Sequence, residues 1–406
     1  MIKLNNIFIN SHSRLLQLSL LEFVFWATFS SYYPFLVVYL VSKGIDNTTI
    51  GIIMSVNSFV LILSQPFWGY ASDRLRSIKR VFLFCLITAT ILWLALPIFE
   101  SVLLIGLMLA VLTFFESPLS PLLDSWVVQG IKEEKVNSYG NIRMWGSLGF
   151  AMISYINGRL IGSYGITSIF YSFAILALLT VLLLTLFRSK DVIVSRHTGS
   201  LGVSGLLKNY YYFAFVVFAA VLFIPHRSAY TFLPRLVEHL GGRSQDFGMA
   251  ISILALSEVP LLIFSGFLLR RFKPIHLILV STFFFTLRQI LLLFATQPIH
   301  AILIQTLQGP SFTLFLPGAV YYIDSLTPDK LKSTAQTLAS ASFLGVSGLV
   351  GCYGGGWLID HYGIMRLYSI GAVISLCISI LFLLSFPLGK LIVKSPNLTE
   401  DLHHLK

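Results

Sequence analysis

The sequence predicts an all-α membrane protein of twelve transmembrane helices, arranged as two similar halves of six. Three observations predict it. Hydrophobic residues make up 56% of the 406-residue chain and charged residues only 11%, with a mean hydropathy of +0.83; a soluble domain carries about 25% charged residues. Apolar runs of about 20 residues recur along the whole chain, each long enough to cross roughly 30 Å of hydrocarbon. The second half of the chain also repeats landmarks of the first. A globule of this length has core enough, but it needs a charged surface that these residues are too few to supply.

Spans are expected near 15–41, 48–70, 79–99, 101–128, 138–161 and 166–187, then 209–235, 246–269, 275–296, 300–323, 333–358 and 365–388. An even number of crossings puts both termini on one side, and loop cations decide which side it is. Twenty of the 28 Lys and Arg residues fall in the loops of the terminal side, including Arg74, Arg76, Lys79 and Arg80 after the second span. The opposite loops hold Lys43, Arg159, Arg235, Arg243 and Arg366, while Arg143, Arg227 and Arg288 lie within spans. This bias predicts a multi-pass protein of the cell membrane with both termini cytoplasmic. The polar stretch 188–208 divides a first half, 1–187, from a second, 209–406.

Several partners are excluded by the same reading. The cations sit in alternate loops with no aromatic-interleaved patch, which argues against nucleic acid. Cys85, Cys352 and Cys377 all lie in apolar spans, where they read as small buried hydrophobes rather than a disulfide framework or metal site. No small-residue cleavage site follows the first apolar segment, so it is expected to remain as a span. With no metal or nucleophile cluster, no enzyme is expected and no cofactor beyond a proton gradient. The expected partners are the lipid bilayer and a small molecule, and a monomer is expected.

The repeat emerges with a shift of 197 or 198 residues. Ser31, Tyr33, Phe35 and Leu36 land on Ser228, Tyr230, Phe232 and Leu233, and Gly44, Gly51 and Gly69 land on Gly241, Gly248 and Gly266. The run from Gly158 to Ile166 likewise lands on that from Gly356 to Ile364. Paired six-helix halves commonly rock about a central site near the bilayer midplane, which gives alternating access.

The segment Gln65-Pro-Phe-Trp-Gly-Tyr-Ala-Ser-Asp-Arg74, followed by Lys79 and Arg80, resembles the loop 2–3 signature of the major facilitator superfamily. Gly69 there is expected to let two helices approach closely, with Asp73 and Arg74 as a charged latch at the rim. The second copy keeps Gly266 but has Arg270 where the first has Asp73. Ser117-Pro-Leu-Ser-Pro-Leu-Leu-Asp124 and Tyr139-Gly-Asn-Ile-Arg-Met-Trp-Gly-Ser147 are similar to the proton symporters grouped around lactose and phenylpropionate permeases. The resemblance implies proton-coupled uptake of a sugar, glycoside or aromatic carboxylate. Proton-antiport efflux of amphipathic compounds is the alternative, although the fifth span lacks the glycine-proline motif of many drug antiporters. A non-transporting membrane sensor is the remote alternative.

Ionisable residues within spans are costly unless paired or wet, so each is a candidate for function. Asp124 and Arg143 lie about equally far from the turn between spans four and five, roughly 9 Å inside the membrane. They are either a structural ion pair or a substrate site. The resemblance implies the second, with Phe150 as a ring that stacks on a sugar and Ser120 in the same motif. Pro118 and Pro121 free backbone carbonyls where a span lines a cavity, and Glu116 lies two turns before Asp124. Glu258 and Arg288 form a second possible pair, each roughly 18–21 Å deep. His226 and Tyr230 match positions in phenylpropionate permease, while Arg227 is expected to snorkel to the outer interface.

Glu22 is about 10 Å inside the first span, facing either the cavity or the cytoplasmic surface. Gln308 and Ser311 replace a His and a Glu that serve proton coupling in lactose permease. The proton must therefore ride elsewhere, with Glu258, Asp124 or Glu22 the main candidates and Glu116 a further acid. Substrate recognition is expected mainly in the first half, and proton coupling mainly in the second.

Overall fold

A computed structural model of the chain describes residues 2–134, 139–186, 206, 208–328 and 331–392. Among these, every regular element is helical. The first crossing is Ile2–Ser30 continued by Leu36–Ser42, and the next are Asn47–Leu75, Ile78–Ile98 and Val102–Ile131. Tyr139–Tyr164 and Ser168–Leu186 complete the first six. The seventh is Tyr210–Thr231 continued by Leu233–His239, followed by Ser244–Arg271 and Pro274–Leu293. Pro298–Leu326, Thr334–Tyr362 and Ile364–Ile392 are the last three. The linker expected over 188–208 lies outside the described residues except at Leu206 and Lys208.

Ten of these crossings are long and apolar enough to span a membrane on composition alone. The exceptions are the first, apolar only over Leu15–Ser30, and the fifth, which carries Asn141, Arg143, Ser147, Ser154 and Asn157. Both turn polar side chains inward. The first and seventh spans, expected to be continuous, are each broken. Residues 31–35 turn around Pro34, and the seventh breaks at Phe232 just before Pro234. A proline has no N–H for the helix ladder. Ser31 and Tyr33 mark one break, and their repeat partners Ser228 and Tyr230 flank the other.

The repeat is also visible in what surrounds its glycines. Gly44 and Gly241 both have positive φ, +76° and +83°, and so do Gly165 and Gly363, both +81°. These are helix ends that turn through the left-handed region open to glycine. Gly51 packs on the eleventh span, where an added Cβ would lie 2.4 Å from the Cys352 carbonyl oxygen. Its counterpart Gly248 packs on the fifth span, where a Cβ would lie 2.6 Å from the Ser154 carbonyl oxygen. Gly356 and Gly158 complete the two interfaces: their added Cβ atoms would lie 2.0 Å from the Asn47 carbonyl oxygen and 2.8 Å from Gly248 Cα. The halves thus meet along two related seams, second span on eleventh and fifth on eighth.

The seam between the second and eleventh spans is sealed at one end only. Asp360 Oδ1 accepts from Asn47 Nδ2 at 2.7 Å and Asn47 N at 3.3 Å, and Oδ2 accepts from Thr48 N and Oγ1, both at 2.6 Å. The carboxylate of the eleventh span therefore caps the N-terminus of the second, a favourable place for an anion. Arg235 adds a bond from Nε to Asn47 Oδ1 at 3.0 Å. At the other end nothing lies within 4 Å of a Cβ on Gly69 or on Gly266. The close approach expected at Gly69 is not made in this conformation, because the spans have splayed apart there. Asp73 and Arg74, at that rim, form no ion pair among the described residues.

Candidate functional site

Between the halves lies a cavity of about 380 Å³, within the size range of small-molecule sites. It runs from Tyr33 and Leu36, below the Asp360 clasp, to Gln65 and Pro121 toward the splayed end. The fifth span lines it with Arg143, Gly146, Ser147 and Phe150, residues three, four and seven apart that share one helix face. Phe150 faces Trp26 and Phe29, with ring centroids 6.4 and 6.5 Å apart. Tyr33 stacks on Tyr230 from the other half, centroids 6.3 Å apart at 29°.

Glu22, Trp26 and Arg143 converge beside Gly146. A Cβ there would lie 2.5 Å from Trp26 Cδ1, 2.8 Å from Arg143 Nη1 and 2.9 Å from Glu22 Oε2, so the missing side chain is what lets them meet. The Arg143 guanidinium sits 4.2 Å from the Trp26 ring centroid, a cation–π contact. Glu22 is fully buried, and neither carboxylate oxygen has a hydrogen-bond partner. Its placement settles one alternative: Glu22 faces the cavity wall, not the outer surface.

Asp124 and Arg143 are brought to the same region without pairing. Asp124 Oδ1 accepts a 2.7 Å bond from the Tyr139 hydroxyl, and Asp124 stands behind the residues that line the cavity. Glu116 and Ser120 do line it. The fourth span turns at Ser117-Pro118, ahead of Leu119, where Ser117 and Ser64 exchange a hydrogen bond.

Glu258 and Arg288 are not a direct pair. Glu258 reaches across to the first half, where the Ser147 hydroxyl donates to its Oε2 at 3.2 Å. Arg288 is buried behind the lining, and its two terminal nitrogens donate to Gln305 and Gln308. The two glutamines, three apart on the tenth span, satisfy the guanidinium without a counter-charge. His226 lines the cavity and stacks on Phe312, centroids 5.8 Å apart at 25°. Arg227 also lines it and does not snorkel outward, because the eleventh span's Gly348 and Gly351 admit it: an added Cβ on either would lie 3.5 Å from Arg227 atoms.

Residues 15–370 match the model of the MFS_1-like family. The chain belongs to that family. It is a transporter of the major facilitator superfamily, an integral multi-pass membrane protein and not an enzyme, and its class is secondary transport. Among relatives, the maltose permease of Geobacillus stearothermophilus is 30% identical over 351 residues, spanning 86% of this chain and 89% of the relative. A probable 3-phenylpropionic acid transporter of Escherichia coli (strain K12) is 26% identical over 360 residues, 85% of this chain and 91% of that one. The solved nucleoside transporter NupG shares the fold, with a TM-score of 0.82 at 19% identity, covering 92% of this chain and 100% of NupG.

Family membership accounts for the scaffold and leaves the lining to this chain's own residues. Sequence reasoning passed over Trp26, Tyr33, Asn57 and Arg227 as lining groups. Trp26 carries a signal, standing one helical turn after Glu22. The pair Gln305 and Gln308, two amides on one face of an apolar span, carries another. Nothing in the sequence aims Tyr33 or Arg227, since both lie beside a helix break whose direction only packing fixes.

Proposed function

We propose that this transporter takes up a small polar organic solute, a sugar or glycoside or an aromatic carboxylate, coupled to proton entry by alternating access. The observation that carries the reading is the cluster of Glu22, Trp26 and Arg143 at the cavity wall. A titratable carboxylate with no hydrogen-bond partner stands beside a guanidinium whose Gly146–Phe150 face lines the solute's space. A buried carboxylate is stable only if its charge is compensated. A proton on Glu22 and polar groups on a solute therefore act on the same arginine, which couples one to the other. Asp124, Glu116 and Glu258 are the further acids within reach of this route.

With both termini on the cytoplasmic side of the cell membrane, as the cation bias argues, the splayed end faces the cytoplasm and the Asp360 clasp closes the outside. Asp73, Arg74, Lys79 and Arg80 then stand at the cytoplasmic rim, placed to latch it when Gly69 and Gly266 come together. The maltose permease relative favours a sugar ring against Phe150, and the phenylpropionic acid relative an aromatic acid near the arginines.

The test is proton movement in proteoliposomes carrying a trapped pH dye, with a panel of glycosides and aromatic carboxylates added outside. At least one solute is expected to drive protons inward, and Glu22→Gln to abolish that movement while leaving solute exchange intact. Unchanged proton movement in Glu22→Gln removes Glu22 from the mechanism. Solute movement that a proton gradient drives only outward replaces uptake by efflux.

A further inference from the structure

Three arginines stand in or beside the cavity, and their compensation differs. Arg143 has Glu22, Asp124 and Glu258 around it, and Arg288 is held by Gln305 and Gln308. Arg227 has neither arrangement. Its Nε is buried without a hydrogen-bond partner, and among the described residues no carboxylate lies within 4.0 Å of its guanidinium. The groups it feels most strongly are neutral: the Tyr33 and Tyr230 phenols and the Cys352 thiol. A guanidinium in a membrane interior without a counter-charge is costly, and this one is held in place rather than left to reach water. The Ser228 hydroxyl beside it on the seventh span donates to the Gly351 carbonyl, fixing the backbone against the eleventh span. Asn57, across the cavity on the second span, also has a buried Oδ1 without a partner.

We infer that Arg227 is the anchor for an acidic group, carboxylate or phosphate, on the transported solute. The inference rests on the central cavity being the transport site. The solute is then an organic anion whose charged group meets the Arg227 fork, a geometry suited to both acids. Its ring lies against the Tyr33–Tyr230 stack, and its hydroxyl groups reach Asn57 and the Arg143 side. A neutral solute fills the same space but leaves the Arg227 charge uncompensated, so the acid is the preferred member of any matched pair.

The experiment is ligand-induced thermal stabilisation of the purified full-length protein, titrated with matched pairs. Phenyl glucuronide is set against phenyl glucoside, a hexose phosphate against the hexose, and phenylpropionate against phenylpropanol. The acid of at least one pair is expected to bind about tenfold or more tightly than its neutral twin. Arg227→Gln should erase that preference and Arg227→Lys restore part of it, since the charge returns without the fork. The anchor is overturned if no acid binds, if neutral twins bind as well in every pair, or if Arg227→Gln keeps the preference. Arg143→Gln and Phe150→Ala report on the cavity separately. Acid binding indifferent to both would remove the cavity as the site; binding that needs them but ignores Arg227→Gln removes the anchor alone.

Discussion

The two walls of the cavity use charge in opposite ways. On the first half's side, one arginine stands among acids, with Glu22 and Asp124 close by and Glu116 on the same wall. On the second half's side the lining carries His226 and Arg227, and its one carboxylate, Glu258, is turned across to Ser147 of the first half. The repeat preserves the glycines of both seams but not these groups. Duplication therefore conserved the packing surfaces, where a single Cβ is intolerable, and left the lining free to diverge. Proton-active carboxylates gather around Arg143, so the expected separation of recognition in one half from coupling in the other is not how the groups are placed.

The largest expected effect separates two buried arginines. Arg143→Gln should lower uptake by about a hundredfold or more, as loss of one partner from a buried charge network costs about 2–5 kcal/mol, with little change in thermal stability. Arg288→Gln should do the reverse. It removes the donor shared by two buried glutamines, and unsatisfied buried amides cost about 1–3 kcal/mol each, so the melting temperature falls first. Uptake and melting curves on both variants make the comparison, and matching profiles would break it.

A smaller effect compares packed and splayed glycines. Gly146→Ala drives a methyl into Trp26, Arg143 and Glu22, and Gly356→Ala drives one into the backbone at Asn47; overpacking of this kind costs about 1–3 kcal/mol. Gly69→Ala and Gly266→Ala meet no atom within 4 Å and should change stability by less than about 0.5 kcal/mol. Their effect is expected in turnover instead, because the opposite conformation brings those ends together. Thermal unfolding alongside uptake rates checks both statements.

The smallest effect concerns the clasp. Asp360→Asn keeps the shape but weakens charge-assisted bonds to Asn47 and Thr48, a loss of about 1 kcal/mol. The seal should then open several-fold more often. Cys352 is buried in that seam, so its rate of alkylation by a maleimide is the readout. An unchanged rate means that the glycine packing, not the carboxylate, holds the seam.

Much of this was legible in the sequence for a simple reason. A membrane demands apolar length and cation asymmetry, both of which are local and additive along the chain. Twelve spans, the repeat and the stripe Arg143, Ser147, Phe150 follow from such local rules. The partners of charged groups do not. Arg288 and Glu258 were at similar depth, yet the amides of Gln305 and Gln308 were nearer to Arg288 and the Ser147 hydroxyl nearer to Glu258. Depth gives one coordinate, whereas a hydrogen bond needs three.

By itself, then, the sequence determined the fold class, the duplication and the positions at which the chain carries charge into the membrane. Hydrophobic length and glycine spacing carry that information without reference to anything distant. The tertiary structure alone decided which seam is closed, that Glu22 meets Arg143 over Gly146, and that Arg227 turns inward. Each of these depends on the rotation of one helix against another from the opposite half, and that rotation is set by close packing at Gly51, Gly158, Gly248 and Gly356 rather than by any residue's own preference.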